Sequence, residues 1–173
     1  MRILYLTVLV AAAFGFAASR QSPARPGEGH ADHHQGIKGR GDRVMGFSHE
    51  KTEHHFCLLR DGGVIDVAAK ESQDGESRGQ IRRHLSHISR MFTDGDFNTP
   101  MLIHGQTPPG VPVMERLKAN IGYRYEETDR GARIIIASDS SEAVAAVHEF
   151  LLFQIHDHET GDPGRVEAKC PSH

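Results

Sequence analysis

One pattern constrains the fold more than any other, and it occurs twice. Two short strand-like segments joined by a glycine-containing turn are followed by an amphipathic helix. His54 to Arg60 and Val64 to Lys70 flank Asp61-Gly62-Gly63. Glycine there supplies the positive φ that a tight hairpin needs. A helix is predicted from Ser77 to Phe92, because Ile81, Leu85, Ile88, Met91 and Phe92 fall at helical spacing. Asp94-Gly95-Asp96 ends it. The order then returns: Gly122 to Thr128 and Ala132 to Ala137 flank Asp129-Arg130-Gly131, and a helix capped by Ser140 or Ser141 runs to His158. Between the two units lie a loop through Pro100 and Pro108-Pro109 and a short helix from Pro112 to Asn120. Pro112 suits its first position. No residue identity accompanies the repetition, so it is a repeat of elements. The fold it predicts is α+β: two ββα units form a four-stranded antiparallel sheet with helices packed on one face.

The flanks read differently. Arg2 followed by the apolar run Ile3 to Ala13 and the small residues of Gly15-Phe16-Ala17 predicts a signal peptide over residues 1–17. The run is too short to span a bilayer, with an uncleaved anchor as the rival reading. Residues 18–43, rich in Gly, Pro and His, read as a disordered linker, 44–160 as a single domain and 161–173 as a flexible tail. The expected product is a soluble secreted or periplasmic protein with no later membrane span. An oxidising compartment permits a Cys57–Cys170 disulfide, although Cys170 sits in the tail. Cys57 is expected to be a buried strand residue rather than a nucleophile. The net charge of −3 argues against a nucleic-acid binder. Neither a phosphate-binding P-loop nor a GxSxG nucleophile motif occurs.

The compositional excess is histidine: thirteen, against eight Phe and three Tyr. His30, His33 and His34 lie in the linker, and His49 and His173 are isolated. His54 and His55 begin the first strand and face opposite ways, so at most one of them enters a shared site. His84 and His87 are three apart on the first helix, with Met91 four further on, and these stack along one ridge. His104 ends Pro100-Met101-Leu102-Ile103-His104, with Met114 ten residues beyond. His148 falls on the apolar stripe of the last helix, and His156 and His158 in its final turn read as a solvated helix end favoured by the dipole. The expected ligands are His84, His87, Met91, Met101 and His104, with His148 weaker. Imidazole and thioether together favour copper over zinc. The bland reading of the same residues is a core-edge imidazole at His84 and His148 and plain core at Met91, Met101 and Met114. Two alternatives compete with metal binding. One is non-covalent haem, since His and Met both serve as axial ligands. The other is a dimeric interaction module. The last helix carries two apolar stripes, Val144, Val147, Leu151 and Ile155 on one side and Ala146, Phe150 and Phe153 on another, and a second copy could cover one of them. An enzyme ranks last, because strand and helix-end positions explain Glu126, Glu127, Asp94 and Asp96.

From about Val44 to Asp162 the chain carries Met45-Gly46-Phe47, Thr52-Glu53-His54-His55-Phe56, Ile81-Arg82-Arg83-His84-Leu85-Ser86-His87-Ile88 and Gly95-Asp96-Phe97. It continues with Pro100 to His104, Pro108-Pro109-Gly110-Val111-Pro112, His148-Glu149-Phe150-Leu151 and Phe153-Gln154-Ile155. In these segments it resembles a family of small exported bacterial proteins of unknown function, some labelled aspartate carbamoyltransferase. That enzyme has two domains and about twice this length, and its Ser-Thr-Arg-Thr phosphate-binding motif does not occur here. The resemblance implies export and the domain boundaries rather than an activity.

Overall fold

The computed structural model describes residues 41–171. The expected signal peptide, most of the expected linker and its histidines lie outside the described residues, as does His173. Residues 41–45, partly assigned to the linker from sequence, are helical. The elements that follow are β1 (Thr52–Leu59), β2 (Gly62–Ala69), α1 (Gly75–Asp94), α2 (Asn98–His104), α3 (Val111–Arg116), a 3-10 turn (Lys118–Asn120), β3 (Gly122–Glu127), β4 (Gly131–Ala137), α4 (Ser141–Asp157) and β5 (Val166–Glu167).

The fold is α+β, but the sheet has five strands in the order β3-β4-β2-β1-β5 and is mixed rather than purely antiparallel. The first four strands pair antiparallel, as the repeated pattern predicts. The fifth comes from the stretch after Gly161, which the sequence places outside the domain. It runs parallel to β1 through Leu58–Val166 and Leu59–Glu167. Two residues of strand give no readable alternation, so composition alone made this segment look like a tail. A Cys57–Cys170 disulfide also ties it down.

Strand alternation sorts the sheet into two faces. One row across it reads Phe56, Ile65, Ile134 and Tyr125, the next Leu58, Gly63, Ile136 and Tyr123. These rows face α1 and α4 and form the core with Ile81, Leu85, Ile88, Phe92, Val147, Phe150 and Leu151. At Gly63 the helix comes so near that a Cβ would stand 2.3 Å from Leu151 Cδ1. The opposite face carries His55, Cys57, Val64 and Asp66, and beside β1 the C-terminal segment covers it.

The helix ends follow their sequence. Asp74 caps α1 by accepting from the Ser77 amide at 3.0 Å, and Gly95 closes it in the left-handed region at φ 77°. Arg82 donates to the Thr128 and Gly131 carbonyls and pairs with Glu127, fastening α1 to the β3–β4 turn. Residues 98–104, expected to be loop, form α2. Pro100 was the misleading signal, but it sits in the first turn, where its missing N–H costs nothing. Ala146, Val147, Phe150 and Leu151 of the two apolar stripes of α4 are buried within the chain, while Val144, Phe153 and Ile155 stay partly exposed. Leu151 lies over the sheet, while Ala146 lies against α3 and Phe150 meets Phe92 and Phe97 edge-on. Among the described residues no helix is long and apolar enough to cross a membrane.

Candidate functional site

Four imidazoles from four elements converge on one small cavity of about 60 Å³. His54 reaches it from the inner face of β1, because alternation places it with Phe56 and Leu58. His84 reaches it from the edge of the apolar stripe of α1. His104 is the last residue of α2, and His158 caps α4. The rest of the wall is mainly apolar, with Phe56, Val67, Leu85 and Phe150 prominent. The ring of His158 stacks on His54 at 5.5 Å and stands edge-on to His104 at 5.0 Å. Phe47, 4% exposed, lies 6.0 Å from His54 and 5.5 Å from His84, so it touches both rings.

Burial governs the charge of two of these rings. His54 is pushed down to about 3, first by loss of solvent and then by the positive charge that His158, His84, His55 and His49 would add. His84 is lowered to about 4 by burial, with His87 second. Both are therefore neutral at pH 7, with a lone pair on one ring nitrogen. His104 is differently placed. It is 2% exposed, with Nδ1 2.5 Å from Asp157 Oδ2 and Nε2 2.9 Å from Gln154 Oε1. Both of its ring nitrogens face acceptors, so ligation there would first break one of these bonds. On the outer side, His54 and His158 also border an open cleft of about 610 Å³ that is lined by His49, Glu53, Lys70 and Thr160.

The structure redistributes the residues expected to act together. His84 and His104 share the cavity. His87 is exposed beside it, in a surface groove of about 280 Å³ with Met45, Arg83 and His84. Met91 packs at the core edge, where its sulfur accepts from the Thr99 hydroxyl at 3.6 Å. Met101 faces a separate shallow groove with Asn98 and Leu102. Met114 is fully buried core. His148 holds the β1–β2 turn, its Nε2 donating to Leu59 O at 2.8 Å and Gly62 O at 3.0 Å. Sequence reasoning read His158 as a solvated helix end and passed over Asp157 and Gln154. One sign of them was present. Gln154, Asp157 and His158 are spaced i, i+3 and i+4 at the end of a helix, so they share a face.

Among the described residues no group of three or more His, Cys, Asp or Glu side chains is arranged to hold a metal ion. No family model, curated protein or solved structure matches the chain.

Proposed function

We propose that this is an exported binding protein for a single soft metal ion, copper(I) in preference to zinc, with the ion held at the imidazole-lined cavity. The observation that carries this reading is the convergence of His54, His84, His104 and His158 on one small, mainly apolar void. The same observation moves the expected ligand set. His54 and His84 are the two rings that burial keeps neutral, and neutral imidazole is the ligating form. Zinc in a structural site asks for four N, S or O ligands in a tetrahedron. The His, Cys, Asp and Glu side chains described here offer no such set. Copper(I) is softer, accepts fewer ligands and takes thioether sulfur.

The size of the void supports an ion over haem. A water molecule's share of liquid volume is about 30 Å³ and organic ligands occupy pockets of about 300 Å³ or more, whereas this cavity has about 60 Å³. Export rests on the N-terminal sequence and agrees with a disulfide between the two cysteines.

The test is a titration of the tag-free mature chain with copper(I) against a chromophoric chelator, with His30, His33 and His34 replaced by Ala to silence the linker. One copper per chain is expected. It should be lost in His54→Ala and in His84→Ala but kept in His148→Ala. Absence of binding, or binding that survives both of the first two substitutions, would refute the reading.

A further inference from the structure

We propose that Met45, His54 and His84 together form the copper(I) site, and that His87 is the first ligand an incoming ion meets. The proposal rests on the copper reading above and names the site and its access within it. Its basis is the meeting of two voids. The inner cavity and the surface groove share two lining residues, Met45 and His84. His87 stands exposed in the groove, one helical turn from His84, and His54 stands on the cavity side. Met45 and His84 thus form the wall that groove and cavity have in common, and His54 lies on its cavity side. His84 borders both voids, whereas His87 borders only the groove.

The segment that carries Met45 is built to stay in place. The helical residues 41–45 end at Gly46, whose φ of 76° turns the chain and whose amide donates to Asp42 O at 3.1 Å. The Asp42 carboxylate then accepts from the His49 amide at 2.8 Å and lies 2.9 Å from His49 Nδ1. This staple fixes both ends of the turn. Phe47 is driven into the core against both imidazoles, where it keeps water from their inner faces. Met45 is only partly buried, and its unbranched side chain can swing its sulfur between groove and cavity. A site of two imidazoles and one thioether is selective on chemical grounds, since thioether sulfur suits copper(I) and not zinc.

The experiment compares wild type, Met45→Leu and His87→Ala in copper(I) competition titrations, with silver(I) as a redox-inert substitute and zinc as the contrast. Leucine keeps the volume of Met45, so folding should be retained. Met45→Leu should weaken copper(I) and silver(I) by about tenfold or more, as loss of a metal-supporting residue commonly does, and leave zinc unchanged. X-ray absorption of the copper-loaded wild type should show a sulfur scatterer that the variant lacks. His87→Ala should slow uptake in stopped-flow mixing. A wild type that binds copper(I) no more tightly than Met45→Leu, or that shows no sulfur scatterer, overturns the site while the copper reading stands. Uptake at an unchanged rate in His87→Ala overturns the route. A wild type that binds no copper(I) overturns both readings together.

Discussion

Lowering the pH should destabilise this protein in a way that two histidines largely account for. The ordinary imidazole value is 6.5, and in the folded chain His54 lies at about 3 and His84 at about 4. On acidification the unfolded chain therefore takes up these protons before the folded chain does. Stability is full above about pH 6.5 and falls as the pH drops from there toward the folded values. At pH 5 the unfolded chain has bound both protons almost fully and the folded chain almost none. A gap of about 1.5 pH units at about 1.36 kcal/mol each gives up to about 2 kcal/mol per ring, or about 4 for the pair. Partial solvent contact at both rings makes these upper figures. Against a total of about 5–15 kcal/mol for a domain, the loss is large. The assay is urea unfolding at pH 7.5 and pH 5.0 for wild type, His54→Gln and His84→Gln. The comparison is between pH-dependent losses, so any fixed cost of each substitution cancels. Each variant should lose up to about 2 kcal/mol less than wild type between the two pH values. Equal losses in all three chains would show that burial does not hold these rings neutral, and the electrostatic argument for the cavity would fail with it.

Two further outcomes test how the cavity and the sheet edge are held. His104→Ala removes a buried ring whose nitrogens lie 2.5 Å from Asp157 and 2.9 Å from Gln154, and should cost about 1–3 kcal/mol in chemical denaturation, as loss of a buried hydrogen-bond partner does. A loss under about 1 kcal/mol would mean that the pair contributes no more than an exposed one. Cys170→Ser opens the bond to Cys57 across a sequence separation of 113, and should lower stability by about 2–4 kcal/mol. It should also speed hydrogen exchange at the β1 edge beside Val166 and Glu167. Unchanged exchange there would mean that the strand pairing holds the segment without the disulfide.

Much of the framework was legible in the residues. The hairpins around Gly62-Gly63 and Asp129-Arg130-Gly131 and the two long helices lie where periodicity and turn chemistry place them, within a few residues. Local signals suffice there because each element declares its own buried face. They fail where two local signals conflict, as at Pro100, which reads as a loop and serves in the first turn of α2. They also fail where an element has too few residues to show a period, as in β5. Histidine exposed the same limit at the site. Spacing along one helix suggested that His84, His87 and Met91 act together, and the structure leaves His84 and His87 in one groove but packs Met91 apart, against Thr99.

By itself, then, the sequence determined the repeated ββα order, the core stripes and the edge position of His84 on its helix. Those follow from the period of a helix or a strand, which acts over a few residues. Which imidazoles meet was decided only by tertiary structure. His54 and His158 are 104 positions apart, and they stack because the end of α4 packs beside the start of β1. Packing also decided which rings lose their water and so stay neutral, and desolvation depends on every element that closes over a group.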